Sequence, residues 1–364
     1  MKYIPKYSML LFTLLIISCN NSISKKKSGK KSNKNQIDNY SAKIDGLIQT
    51  TSPRSFNGII LITQKGEVKY SKAYGYSNFE DKTSISITDN FRIQSNSKQI
   101  TAVLILKEVE NGKIDLKSPI RKYLPTIKQT WADSITVHQL LNMTSGIVGI
   151  DKPLIFEPGT DFKYSNPAYG LLGRIIANVT EKKYTEVANN LFKELKMDNS
   201  FCYEMDKYEG KVINGYRISD NEFKLVEFNK LGINKDWWTD FIPAGGIISN
   251  VKDLNIWDTT LHNGELLKPE TYKLMINYNI TAQHDAFGNE KIGYGYGVRI
   301  DDNKSVKTIG HAGKGLGFAS IKFYIPEKDV DVIVLENVYN EDANIVYYFE
   351  NKIREIVLHS SLLK

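Results

Sequence analysis

An α/β domain, with a sheet begun by N-terminal strands and completed by the C-terminal third, is the fold class the sequence predicts, with a helical insertion in its middle. Three observations predict it. Strand-like apolar runs stand at both ends of the chain, in Gly58–Thr63 and Glu67–Tyr74, and again between Tyr296 and Leu335. Helical periodicity dominates between them, from Ser95 to about Leu195, with apolar positions such as Ile100, Val103, Leu104 and Leu171, Leu172, Ile175, Ile176. A length of 364 residues, 41% hydrophobic and 24% charged, is enough to bury a large core.

In chain order, two lysines and the apolar run Met9–Ile17 precede Ser18-Cys19. That run is shorter than the about 20 residues of a spanning helix and has the layout of an export signal. Ile16-Ile17-Ser18-Cys19 resembles the lipobox of bacterial lipoproteins, which implies a signal over residues 1–18, cleavage before Cys19 and acylation of its thiol. An ordinary secretory signal with an incidental cysteine is the other reading. Residues 19–36 are rich in Lys, Ser and Asn, too polar to repay ordering, and read as a tether. The domain proper is assigned to 37–364, with its helical subdomain over about 95–240. It opens with a helix to about Ile48, followed by a hairpin whose turn is Lys65-Gly66. Late strands are predicted at Tyr296–Ile300, Ser305–Ile309, Ala319–Tyr324 and Val330–Leu335, then a closing helix from about Glu341 to Val357.

The net charge of +7 suggests nucleic acid or membrane until it is located. Residues 1–36 hold eight lysines and no acid, leaving 40 basic against 41 acidic residues in the body. Nucleic-acid binding is therefore not expected. After processing, Cys202 would be the remaining cysteine, excluding an intramolecular disulfide, and its neighbours suggest a buried filler rather than a reactive thiol. Five scattered histidines show no metal-ligand spacing, so neither a metal nor another cofactor is expected.

Three short words in fixed order carry the chemistry: Ser95-Asn96-Ser97-Lys98, Tyr164-Ser165-Asn166 and His311-Ala312-Gly313. Together they supply a hydroxyl nucleophile, an amine for its proton, a phenol as second proton carrier and a glycine-flanked strand. Each has copies elsewhere, at Ser22, Ser24, Ser28 and Ser249, at Tyr76, and at His262, so local setting must select among them. Ser95 and Lys98 share a face at the start of a strongly apolar helix that ends at Asn111-Gly112, where burial lowers a lysine pKa. The bland alternative is a helix cap and a surface lysine. Asn166, followed by Pro167, reads either as a helix cap or as a substrate-holding amide. Gly310–Gly317 reads either as a plain turn or as a strand that a ligand approaches closely, with His311 contributing a positive or donor group.

With Phe91-Arg92-Ile93, His138-Gln139-Leu140-Leu141, Phe156-Glu157-Pro158-Gly159-Thr160 and Pro243-Ala244-Gly245-Gly246 in order, the chain resembles the serine β-lactamase-like and penicillin-binding superfamily. The likeness runs from about residue 40 to 357 and is closest to the class C β-lactamase, D-amino peptidase and esterase branch. It implies a β-lactamase/DD-peptidase-like α/β fold: an antiparallel sheet flanked by helices with a mainly helical inserted subdomain. It implies Ser95 as acylated nucleophile, Lys98 as proton acceptor, Tyr164 as general base and acid, and Asn166, His311 and Gly313 as substrate-binding residues. The backbone amides of Ser95 and Lys314 would form the oxyanion hole. His311 stands where penicillin-binding relatives usually carry lysine, which turns the expectation from antibiotic hydrolysis toward esters and peptides. Gln94 replaces the small residue usual before the nucleophile and is expected to narrow the site. From Tyr203 to Asp240 the likeness fades. There Trp237 and Trp238 are expected to shape an acyl pocket, core packing being the other reading.

The expected function is thus a lipid-anchored serine hydrolase of the bacterial cell envelope, acting through an acyl-enzyme on a small ester or D-amino-acid amide or peptide, peptidoglycan-derived ones included. The alternatives are a class C-like β-lactamase and a non-catalytic binding or scaffold lipoprotein on the same fold.

Overall fold

The hairpin β1 (Gly58–Gln64) and β2 (Glu67–Tyr74) closes at Lys65-Gly66, both in the left-handed region. In this computed structural model, which describes residues 39–205, 207, 210–219 and 222–364, β1 also pairs with a C-terminal strand. The proposed signal, Cys19 and the tether lie outside the described residues. Six further strands complete the sheet: β3 (Thr281–Gln283), β4 (Lys291–Tyr294), β5 (Arg299–Asp301), β6 (Thr308–Gly315), β7 (Phe318–Ile325) and β8 (Val330–Glu336). Every pairing is antiparallel, in the order β3-β4-β5-β6-β7-β8-β1-β2. β1 and β8 read as continuous apolar runs because, mid-sheet, both their faces are covered.

Alternation along the strands divides the core in two. Ile60, Ile62, Val332 and Val334 face α1 (Tyr40–Ile48) and the closing helix, Tyr348–Leu358, which begins later than the sequence suggested. Ile59, Leu61, Ile333 and Leu335 face the larger helical layer. That layer holds α2 (Ser97–Glu110), α3 (Val137–Leu141), α4 (Asn166–Thr180), α5 (Tyr184–Glu194), α6 (Lys235–Gly245), α7 (Val251–His262) and α8 (Pro269–Met275), which makes the closing helix α9. β6 follows the same alternation. Ala312 belongs to the α1–α9 side, whereas Ile309 belongs to the helical layer, so His311 and Gly313 point toward that layer.

A small sheet joins Phe91–Arg92 and Phe201–Cys202 to the edges of Ile247–Ser249. It places the chain entering the Ser95 turn beside the end of α6. Cys202 is fully buried there and burial pushes its thiol up, as befits a filler. Among the described residues no helix is long and apolar enough to cross a membrane.

Candidate active site

Ser95 does not open a helix directly, as the sequence suggested, but sits in the single 3₁₀ turn Gln94–Asn96 that precedes α2. The turn is held from several sides. Gln94 adopts φ +50, a left-handed conformation uncommon for a residue with a side chain, and its amide donates to the Gly315 carbonyl at 2.8 Å. Gln94 therefore ties the nucleophile turn to the end of β6. Asn96 Nδ2 donates to Ser320 Oγ on β7 at 2.9 Å, and Ser97 Oγ donates to the Gln94 carbonyl at 2.6 Å. Gly313 on β6 packs so closely that a Cβ there would lie 2.5 Å from the Ile93 oxygen and 2.9 Å from the Ser95 nitrogen. Only glycine lets β6 approach the Ser95 amide in this way.

Lys98 follows on the first turn of α2 and is fully buried. Its Nζ donates to Ser95 Oγ at 3.0 Å, to Asn166 Oδ1 at 2.8 Å and to the Ala244 carbonyl at 2.7 Å. All three acceptors are uncharged. Burial, and secondarily the positive charge of Arg299, holds its pKa well below the usual lysine value. Tyr164 lies alongside, its ring centroid 4.7 Å from Nζ. Burial pushes the phenol up to about 12, while a hydrogen bond with Ser95 and the nearby Arg299 pull the other way.

Asn166 is not the cap of α4. Ser165 is, its hydroxyl accepting from the Ala168 amide at 3.1 Å, with Pro167 in the first turn. That division of labour frees the Asn166 side chain, which is exposed on the cleft, to meet Lys98.

His311 departs from expectation. It is completely buried, Nδ1–H donates to the Ala312 carbonyl at 2.6 Å, and Tyr294 O–H stands 3.4 Å from Nε2. Burial first, then the cations Arg299 and Lys98, hold its pKa well below the ordinary histidine value. His311 is therefore a neutral ring packed on Tyr164, centroids 6.2 Å apart, and brings no positive charge to a substrate.

A second buried cation acts on both Lys98 and His311: Arg299 on β5, which the sequence reading passed over. Arg299 is 2% exposed, its Nε has no hydrogen-bond partner, and Nη1 reaches only the Ala282 carbonyl at 3.5 Å. Among the described residues no carboxylate bonds it. Asp285 acts on it through space, and the tyrosines 294, 164 and 347 surround it. The turn leading to β5 is pressed onto the backbone of α2 by Gly297, at φ +66, where a Cβ would lie 2.6 Å from the Lys98 carbonyl oxygen. No local pattern marks such a residue. An arginine beginning a short strand is ordinary until the fold removes its counter-charge.

Arg92, two residues before Gln94, is also buried, its guanidinium 4.0 Å from the Tyr203 ring centroid and 4.2 Å from that of Phe228. It bolts the strand leading to the Ser95 turn onto the segment where the likeness to relatives fades. The tryptophan pair of that segment divides. Trp238 is core, with Nε1 donating to the Tyr203 carbonyl at 2.6 Å, whereas Trp237 is 55% exposed. The competing copies fall elsewhere: Tyr76 lies on the surface near β2, and His262 is buried beside the Asp258–Lys322 ion pair. Among the described residues no group of three or more His, Cys, Asp or Glu side chains is placed to hold a metal ion.

A Ser–Lys pair, a tyrosine and a glycine-bearing strand thus converge at one end of the antiparallel sheet. The Beta-lactamase family model matches residues 44–352. The chain belongs to the β-lactamase family. This β-lactamase-family chain is 28% identical over 311 residues to Protein flp of Staphylococcus aureus (strain MRSA252), an alignment covering 78% of this chain and 59% of flp. Among solved structures it is similar to the octameric penicillin-binding protein homologue from Pyrococcus abyssi, with a TM-score of 0.74 and 26% identity over 89% of this chain and 78% of that one. The D-amino acid amidase from Ochrobactrum anthropi SV3 shares the fold, with a TM-score of 0.73 and 21% identity over 88% of this chain and 97% of the amidase. Fold and membership agree with the mixed α/β, antiparallel-sheet architecture the sequence suggested.

Proposed function

We propose that the protein is a serine hydrolase that forms an acyl-enzyme on Ser95 and cleaves an ester or a D-amino-acid amide or peptide. The observation that carries this reading is Lys98: a fully buried amine 3.0 Å from Ser95 Oγ, with uncharged acceptors on its other sides. Burial, and then the charge of Arg299, lowers the lysine pKa and so favours the neutral amine that can act as a base. As the neutral amine, Nζ keeps its two donations to Asn166 and Ala244, and the Ser95 hydroxyl then donates to its lone pair. Ser95 Oγ attacks the acyl carbon as its proton passes to Lys98. The Ser95 and Lys314 amides receive the oxyanion, each donor contributing about 3 kcal/mol; the Gly313 contact with the Ser95 amide supports that placement. Tyr164, neutral by virtue of its raised pKa, protonates the leaving group and regains a proton relayed from Lys98. Water, activated by the same pair, releases the acid.

Incubation with a fluorophosphonate or a fluorescent penicillin, followed by mass-spectrometric location of the label, tests this. Labelling at Ser95 that vanishes in Ser95→Ala is expected. Protein that takes up neither probe and hydrolyses neither p-nitrophenyl acetate nor nitrocefin would leave the non-catalytic reading standing.

We further infer that Cys19 is lipidated and holds the domain at the cell envelope through the tether. The lipobox-like Ile16–Cys19 supports this. Cys19→Ala is expected to shift the protein from the membrane to the soluble fraction, and unchanged membrane retention would count against it.

A further inference from the structure

Helix α6 carries an exposed ring, Trp237, beside a half-buried one, Phe241, that rests on the core. Its cap, Asn234, accepts from the Asp236 and Trp237 amides at 2.9 and 3.1 Å, so Trp237 is placed on the first turn. Phe241 follows one turn later, and the two rings stack with centroids 5.1 Å apart and planes 9° from parallel. They line a groove of 470 Å³ together with Ile150, Leu171, Asp151 and Asn166. That volume lies within the range of about 300–1,000 Å³ usual for small-molecule sites.

Asn166 is the link. It belongs both to this groove and to the Lys98 hydrogen-bond set, and with Oδ1 taken by Lys98 its Nδ2 is left to donate to an acyl-side carbonyl. Helix α6 makes the same link from below, since its Ala244 carbonyl holds Lys98 and its Pro243 carbonyl holds Thr101. The charge of the groove is set as well. Its cation, Arg174, is bonded to Asp240, with Nε 2.9 Å from Oδ1, and Asp151 adds a second carboxylate at the wall. An anionic side chain would find repulsion there, and an aromatic ring would find a flat apolar surface.

We propose that this groove is the acyl-side subsite and that Trp237 and Phe241 select substrates with an uncharged aromatic acyl side chain. The proposal rests on the serine-hydrolase reading above. The test compares kcat/KM of the full chain for p-nitrophenyl phenylacetate and p-nitrophenyl acetate, with Trp237→Ala and Trp237→Phe beside the parent. The phenylacetate-to-acetate ratio is expected to fall about tenfold in Trp237→Ala, the scale of one aromatic contact, and to recover in Trp237→Phe. A ratio that does not change in Trp237→Ala overturns the subsite. Saturation-transfer NMR with phenylacetamide separates this failure from that of the parent reading, because it needs no turnover. If neither ester is hydrolysed, a phenylacetamide signal lost in Trp237→Ala keeps the groove while removing the acyl-enzyme, and a signal indifferent to Trp237 removes the groove.

Discussion

Replacing Lys98 by methionine is expected to lower kcat/KM for Ser95-dependent ester hydrolysis about 10³-fold, within the about 10²–10⁴ range of a positioned general base. The pH profile is the sharper readout. Because the active form is the neutral amine, the rate should rise with pH through a value well below the usual lysine range and then level off. Tyr164, with its phenol at about 12, adds no falling limb below that value. In Lys98→Met the rising limb should vanish from whatever activity remains. A limb that persists in the variant would assign the base elsewhere. Stability gives an independent check. A lysine whose folded pKa lies below its unfolded one binds fewer protons in the native state, so stability rises with pH between the two values. Urea midpoints of the parent should climb over that window relative to Lys98→Met, whatever the fixed difference left by unpairing the Asn166 and Ala244 acceptors.

Arg54→Ala is expected to destabilise the fold by about 3–5 kcal/mol, the scale for stripping one partner from a buried ion pair. Arg54, 2% exposed, grips Glu336 in two hydrogen bonds of 2.8 Å, reaches Glu350 at 3.3 Å and donates to the Val346 and Ile345 carbonyls. These partners lie on β8, on α9 and in the segment between, so one guanidinium joins the entry to β1 to the C-terminal end of the chain. Glu350 already has its pKa well above the usual carboxylate value, through burial and then through the Glu336 charge. A carboxylate raised in the folded state binds more protons there, so its stabilising effect is present at low pH and lost as pH rises through the folded pKa. Without Arg54 the Glu350 carboxyl moves further up. The urea-midpoint deficit of Arg54→Ala should therefore be smaller at pH 5 than at pH 8, and a deficit independent of pH would mean the pair is not held as described. Glu350→Gln on the Arg54→Ala background should restore part of the loss.

The hairpin at Lys65-Gly66, the last two strand runs and the long helix ending at Asn111-Gly112 were legible because each is written in local periodicity and turn chemistry. β5 was misplaced by several residues and β6 runs on through His311 to Gly315. A strand lined by glycines and a histidine lacks the apolar alternation that marks the others. Gln94, expected to narrow the site, also reaches to Gly315, a contact across 221 positions that no local pattern marks.

The sequence by itself determined the candidates Ser95, Lys98 and Tyr164 and their order, since Ser95–Lys98 is a one-turn spacing leading into a strongly apolar helix. Tertiary structure alone decided the electrostatics. Ser165 rather than Asn166 caps α4, His311 is buried neutral, Arg299 has no carboxylate bonded to it, and Trp237 is left open while Trp238 is covered. The physical reason is one of range. Periodicity and capping act within a turn or a strand, whereas desolvation and the presence of a counter-charge depend on which distant segments the fold brings to the same few ångströms.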